Sequence, residues 1–250
     1  MKIIGIIPAR YASTRFPGKP LCMIDGKSMI RRVYEQASAC SLLTDLLVAT
    51  DDERIEKHVK DFGGQVIMTS GLISSGTERC NEVINLLFQK NHEQYDLVIN
   101  IQGDEPYIHP LQIAHIAGCF QDQDVTLATL VKKITSEDDL KNPNVVKVLF
   151  DIYSRAIYFS RTALPYIRGK EDQNRINIHT FYKHVGIYGY TPAILHKITG
   201  LAESSLERAE SLEQLRWIEN GYSIYVRETE FESIAIDTPG DLLQITNRPG

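Results

Sequence analysis

Short apolar runs alternate along the first half of this chain with stretches whose apolar positions recur every three to four residues. KIIGII (2–7) predicts a first strand, and the Pro- and Gly-punctuated ARYASTRFPGKPL after it predicts a loop. SMIRRVYEQASAC (28–40) has a helical period, with Ser28 as N-cap. DLLVAT (45–50) predicts a second strand, ERIEKHVKDFGG (53–64) a helix closed by glycine, and QVIMT (65–69) a third strand. A helix is predicted from Thr77 to about Lys90. YDLVINIQ (95–102) is the most apolar strand and runs into the turn GDEP, followed by a helix in PLQIAHIAGCF and a strand in VTLATLVKK. This rhythm predicts the α/β class with a mainly parallel sheet.

From about residue 135 the pattern changes. NPNVVKVLFD, RAIYFSR and HTFYKHVGIYGY read as three strands without long helices between them, which predicts an antiparallel lobe lying over the sheet. SSLERAESLEQLRWIENG predicts one amphipathic helix with Leu206, Leu212 and Leu215 on its apolar side. YSIYVRE and SIAI return to strand. IDTPGDLLQI predicts a closing helix with Thr238 as N-cap, Pro239 at its first position and Asp241 at its third. There is no internal repeat or low-complexity linker, so residues 1–250 read as one domain.

Composition narrows the class. The 250 residues are 43% hydrophobic and 24% charged with net charge -5, as in an ordinary globular protein. No basic tract or aromatic-interleaved Arg/Lys stripe is present, so nucleic acid is not the expected partner. No run approaches the roughly 20 apolar residues of a membrane span, and MKIIGIIPAR does not read as a signal peptide. Cys22, Cys40, Cys80 and Cys119 are scattered without metal-ligand spacing, in keeping with idle thiols in a reducing cytoplasm.

Against this acidic balance, the loop after the first strand carries Arg10, Arg15 and Lys19, stiffened by Pro17, Gly18 and Pro20. Such a loop in a βα unit lies at the carboxyl end of the sheet, where anions are favoured, and three cations fit a triphosphate. Neither GxxxxGK[ST] nor GxGxxG occurs, so phosphate would be held by side-chain charge. Each cation taken singly also reads as a solvated loop residue. Asp104, after the most apolar strand, suits Mg²⁺, which takes one or two carboxylates plus substrate phosphates; it equally reads as a strand terminator. Asp237, after a second apolar run, is a further candidate ligand or an N-terminal acid of the closing helix. His184 and Tyr188 lie four apart in one strand and so face the same way. Arg161, Glu213 and Gln214 each read alone as structural residues.

IIPARYASTRFPGKPL, VATDD, SGTER, NIQGDEP, NPNVVKV, YFSR, HVGIYGY, LEQLRW and IDTP together resemble, in order and spacing, the 3-deoxy-manno-octulosonate (Kdo) cytidylyltransferase family over nearly the whole chain. The resemblance implies a Rossmann-like nucleotidyltransferase fold whose antiparallel lobe, around 135–190, mediates a homodimer. It implies that the anomeric hydroxyl of a 3-deoxy-ulosonic acid attacks the α-phosphate of CTP, giving a CMP-sugar and pyrophosphate in the cytoplasm for lipopolysaccharide assembly. It assigns Arg10, Arg15 and Lys19 to the triphosphate, Gly76 and Arg79 to the nucleotide pocket, and Asp104 and Asp237 to Mg²⁺. Gln102, Arg161, His184, Tyr188, Glu213 and Gln214 would surround the sugar acid.

One segment departs from that pattern. Before SGTER the family carries a histidine followed by a polar residue, where this chain has Leu72, Ile73 and Ser74. A site built to hydrogen-bond a hydroxyl discriminates strongly. The departure therefore raises a second expectation, the same reaction on a modified acid sugar such as an 8-amino analogue.

Overall fold

The computed structural model describes residues 1–12, 16–169, 175–232, 235–236, 238 and 240–241. In chain order its elements are β1 (Ile3–Ala9), the hairpin β2 (Met23–Ile24) and β3 (Lys27–Ser28), α1 (Met29–Ser38), β4 (Asp45–Thr50), α2 (Glu53–Asp61), β5 (Val66–Met68), α3 (Gly76–Asn91), β6 (Leu97–Asn100) and α4 (Pro110–Cys119). There follow β7 (Leu127–Lys133), α5 (Glu137–Lys141), β8 (Lys147–Phe150), β9 (Ala156–Ser160), β10 (Tyr182–Tyr190), α6 (Pro192–Thr199), α7 (Ser205–Glu210), α8 (Gln214–Glu219) and β11 (Tyr225–Glu228). Arg15, Asp237, Pro239, the first half of SIAI and the closing helix beyond Asp241 lie outside the described residues.

Among the described residues a nine-stranded sheet runs β11-β7-β10-β6-β1-β4-β5, with β8 and β9 branching from β10. β1 pairs in parallel with β4 and β6, β4 with β5, and β7 with β11, which is the mainly parallel mixed sheet expected. Ile3, Ile4, Ile6 and Ile7 of β1 are all buried, because helices cover both faces of a parallel sheet. One face packs against α1, α2 and α4, the other against α3, α6 and α8. Trp217 of α8, 1% exposed, sits edge-on to Tyr188 and Tyr190 and is a large contributor to the second layer.

Of the antiparallel segment, the last strand joins the main sheet and the β8–β9 arm extends from β10 to the start of β11, where Ala156 N–H donates to the Ile224 carbonyl at 2.8 Å. β10 enters the sheet between β6 and β7, antiparallel to both, and only its first residues pair with β8. β10 is long enough for both tasks: its amino end serves the β8–β9 arm, and its carboxyl end, Tyr188–Tyr190, is buried beside β6. One expectation is corrected: the single helix expected over 204–221 is two. Ser211 takes a left-handed conformation, φ 51, and ends α7, and Glu213 becomes the N-cap of α8 instead of a mid-helix residue. The amphipathic period continues across the break, since Leu212 and Leu215 are both buried. Periodicity therefore did not reveal it.

Capping chemistry largely follows the sequence. The Ser28 hydroxyl accepts from Arg31 N–H, and Gly63 with φ 80 follows α2. Thr238 and Asp241 bond reciprocally, backbone N–H to side chain in both directions, as a closing-helix N-terminus requires. Among the described residues no helix is long and apolar enough to cross a membrane.

Candidate active site

A cavity of about 240 Å³ opens at the carboxyl ends of β1 and β6. Open α/β sheets bind ligands at this edge, because loops diverge there and helix N-termini point inward. Arg10 lines it from the end of β1, Lys19 from the following loop, Ser75, Gly76 and Arg79 from the start of α3, and Gln102 and Asp104 from the turn after β6. Six residues singled out from the sequence thus meet around one space.

The loop after β1 is built to return Lys19 to the sheet. Gly18 is left-handed, φ 73, and its N–H bonds the carbonyl of Tyr11 at 2.9 Å. Lys19, Pro20 and Leu21 then form a single 3₁₀ turn. The Lys19 ammonium donates to Asp104 Oδ2 at 2.7 Å. Gly103 brings the β6 turn against β1 so closely that a Cβ there would lie 2.6 Å from the Pro8 carbonyl oxygen. Gly76, at the start of α3, lies beside Pro8 and Asn100.

The entry to α3 is fixed by a capping box between Ser75 and Glu78, so its sixteen residues direct the positive end of their dipole at the cavity. Arg79, 1% exposed, donates to the Thr69 hydroxyl and, at 3.3 Å, to Asp51 Oδ2. Asp51 of VATDD therefore orients a cavity cation, a role that sequence reading did not assign.

Gln102 leads to a second, more enclosed polar group. Its side-chain amide donates to the Gly186 carbonyl of β10 at 2.9 Å. His184 and Tyr188 do face the same way, with rings 5.2 Å apart. Glu213 Oε2 accepts from the Thr77 hydroxyl at 2.8 Å, next to Gly76 of the cavity, and Gln214 is buried behind it. Burial pushes the Glu213 carboxyl above its ordinary pKa. Asn100, opposite Tyr188 in the ladder, holds a buried Oδ1 with no partner among the described protein atoms. Such an orphaned acceptor marks a place for a donor from a ligand or water. Asn100 stands in NIQGDEP, but the sequence reading did not single it out.

Packing around His184 determines its proton. Thr129 Oγ1 lies 3.0 Å from His184 Nε2 and also 3.1 and 2.8 Å from the carbonyls of Val185 and Ile187. The hydroxyl has one hydrogen, which goes to a carbonyl, so Nε2 carries its own hydrogen and donates. Nδ1 is then an acceptor. Phe159 and Tyr188 flank the ring, and the loss of hydration pushes its pKa down to about 3, so it is neutral at physiological pH.

Arg161 is placed differently from expectation. Nε donates to the Glu210 carbonyl at 2.7 Å, Nη1 to Pro143 at 3.1 Å and Nη2 to Ser211 at 3.3 Å. Its fork therefore grips backbone, leaving fewer donors for a carboxylate than the sequence suggested. Leu72 is 96% exposed and does not line the cavity; of the departing segment only Ser74 does. No group of three or more His, Cys, Asp or Glu side chains suited to a metal occurs among the described residues. Among the described residues Asp104 alone offers a carboxylate on the cavity wall, with the Ile236 N–H on its backbone carbonyl at 2.9 Å. One oxygen ligand facing a cationic anion site suits a hard ion completed by substrate phosphates.

The sequence profile of the cytidylyltransferase family matches residues 4–229. A 3-deoxy-manno-octulosonate cytidylyltransferase from Parabacteroides distasonis is 56% identical over 246 residues, covering 97% of this chain and 96% of the relative. The enzyme of that name from Cytophaga hutchinsonii is 53% identical over 248 residues, covering 99% and 97%. The solved structure of a CMP:2-keto-3-deoxy-manno-octonic acid synthetase complexed with CTP superposes with a TM-score of 0.87 at 39% identity, over 98% of this chain and 97% of the other.

Proposed function

Because the chain belongs to the cytidylyltransferase family, and within it to the 3-deoxy-manno-octulosonate cytidylyltransferases, we propose that it activates 3-deoxy-manno-octulosonate with CTP, releasing CMP-Kdo and pyrophosphate. The observation that carries this reading is the convergence of Arg10, Lys19 and the α3 N-terminus on one cavity opposite Asp104. Three positive features there suit a triphosphate, and one wall leads directly to the polar group of Gln102, His184 and Glu213.

In this reading the anomeric hydroxyl oxygen of the sugar bonds to the α-phosphorus, the bond from that phosphorus to the bridging oxygen breaks, and pyrophosphate leaves with the electron pair. The hydroxyl proton passes to solvent. Phosphoryl-type transfer asks a protein for in-line positioning and charge stabilisation. Arg10, Arg15 and Lys19 hold the triphosphate and stabilise charge on the leaving group. Gly76 lets backbone approach the nucleotide, and Arg79, held by Asp51, shapes its pocket. His184 offers a neutral acceptor to a sugar hydroxyl, and Gln102, Tyr188, Glu213 and Gln214 supply the remaining mixed donors and acceptors. Arg161 contributes to the carboxylate side through whichever N–H groups the backbone leaves it.

Asp104 and Asp237 are the residues that would hold Mg²⁺, which when bound neutralises phosphate charge. The β8–β9 arm exposes Ile157, 56%, and Tyr166, 71%, is exposed nearby in the chain, an apolar surface suited to a second copy of the chain. A homodimer through this arm, and a cytoplasmic location where CTP is available, belong to the same proposal. The near-complete exposure of Leu72 favours Kdo over the 8-amino analogue, since that side chain does not reach the cavity.

Pyrophosphate release with Mg²⁺ and CTP, compared for Kdo, its 8-amino analogue and a sialic acid, tests the reading. Fastest turnover of Kdo is expected. Preference for the analogue would move the specificity to Ser74 and its neighbours, and no CTP-dependent release with any of the three would overturn the assignment.

A further inference from the structure

Lys147 is fully buried at the start of β8, and among the described residues its ammonium forms no ion pair with a carboxylate. Its three hydrogens go to three backbone carbonyls: Asn142 at 2.9 Å, Val145 at 2.6 Å and Arg161 at 2.6 Å. Burying an ammonium is unfavourable even when it is hydrogen-bonded, and an apolar side chain would fill the same space without that cost. Lys147 gathers the 142–145 turn onto the end of β9, and there a second cation takes over.

Arg161 bridges that same turn, through Pro143, to the break between α7 and α8, through the Glu210 and Ser211 carbonyls. Glu210 completes the arrangement. Its carboxylate accepts from the Ser160 hydroxyl at 2.6 Å and from Arg161 N–H at 2.9 Å. It also acts electrostatically on Lys147, opposing the burial that lowers the lysine's pKa. The held segment includes Ser211, whose left-handed φ of 51 turns the chain, and two residues later Glu213 accepts from Thr77 beside the cavity.

We propose that Lys147, with Glu210 and the Arg161 guanidinium, forms a buried clamp that positions Glu213 for the sugar acid, making Lys147 and Glu210 positioning residues of this reaction. The clamp acts on one substrate only. Arg10, Lys19 and Gly76, which face the triphosphate, lie on other elements and touch none of its bonds. A general structural role would weaken both substrates together, whereas a positioning role separates them. The proposal rests on the reading that Glu213 faces the sugar acid.

The test is steady-state kinetics of Lys147→Met, Glu210→Gln and Glu213→Gln, with CTP binding measured by calorimetry as evidence of a folded nucleotide site. Lys147→Met is expected to raise KM for the sugar acid about tenfold or more while KM for CTP stays within about twofold, with Glu210→Gln moving in the same direction by less. Sugar KM within about twofold of wild type in Lys147→Met, or equal rises in both KM values, overturns the clamp. Should Lys147→Met fail to bind CTP or to fold, Glu210→Gln decides by the same comparison. An unchanged sugar KM in Glu213→Gln would instead remove the sugar-side reading on which the clamp rests, so the two failures are distinguishable.

Discussion

Lys19 and Asp104, 85 residues apart in the chain, meet at 2.7 Å on the wall of the cavity, with side chains 15% and 26% exposed. The contact joins the loop after β1 to the turn after β6, and it sets a cation and a carboxylate where a nucleotide triphosphate and a divalent ion would meet. A partly exposed pair of this kind contributes roughly 1 kcal/mol or less to stability. Its worth lies in the charges it holds in place.

Asp104→Ala and Asp104→Asn should therefore separate activity from stability. Turnover is expected to fall about a hundredfold or more, by the loss of the proposed metal ligand and of the Lys19 contact, while the melting temperature shifts by about 3 °C or less. Pyrophosphate release and thermal unfolding on the same preparation check both halves. Near wild-type turnover in a folded variant would remove Asp104 from the metal assignment.

Gly103→Ala tests the close approach of the two strand ends. The added Cβ would sit 2.6 Å from the Pro8 carbonyl oxygen, and backbone on both sides leaves no flexible group to yield. The turn must shift outward, carrying Asp104 with it. A loss of about 2 kcal/mol in urea unfolding and at least a tenfold drop in kcat/KM for CTP are expected. Retention of full activity would show that the turn adapts elsewhere.

Glu213→Gln should stabilise the protein and impair it. Burial raises the Glu213 carboxyl pKa, so keeping it ionised at neutral pH costs stability, and an amide can still accept from Thr77. A gain of about 1 kcal/mol at pH 7, shrinking as pH falls toward the carboxylate range, is the expected result, together with a raised KM for the sugar acid. Denaturation at several pH values gives the first, and steady-state kinetics the second.

His184 makes an acid-side prediction of opposite form. Unfolded histidine titrates near 6.5, whereas the folded ring is held down to about 3. Between those values the unfolded chain binds more protons, so this contribution to stability is complete above about pH 6.5 and is lost as pH drops, by up to about 1.4 kcal/mol per pH unit. Urea midpoints between pH 7 and about 5 should fall more steeply for wild type than for His184→Gln. Equal slopes would mean that the folded ring titrates normally.

Much of this molecule was legible in one dimension. The αβ rhythm of residues 2–133, the Ser28 cap and the basic loop after the first strand could be read because apolar period, capping chemistry and turn residues act over a few positions. Asp104 at a strand end was legible for the same reason, as was the shared face of His184 and Tyr188. What tertiary structure alone decided depends on residues far apart in sequence. Insertion of β10 between β6 and β7 follows from where its aromatic end is buried. The break at Ser211 is invisible to a period that continues through it, and it is held by Arg161, which follows β9. Asp51 beneath Arg79, the orphaned Asn100 acceptor and the carbonyl-bound Lys147 are likewise products of packing. A polar side chain acquires such a role only when folding removes its water and supplies, or withholds, a partner.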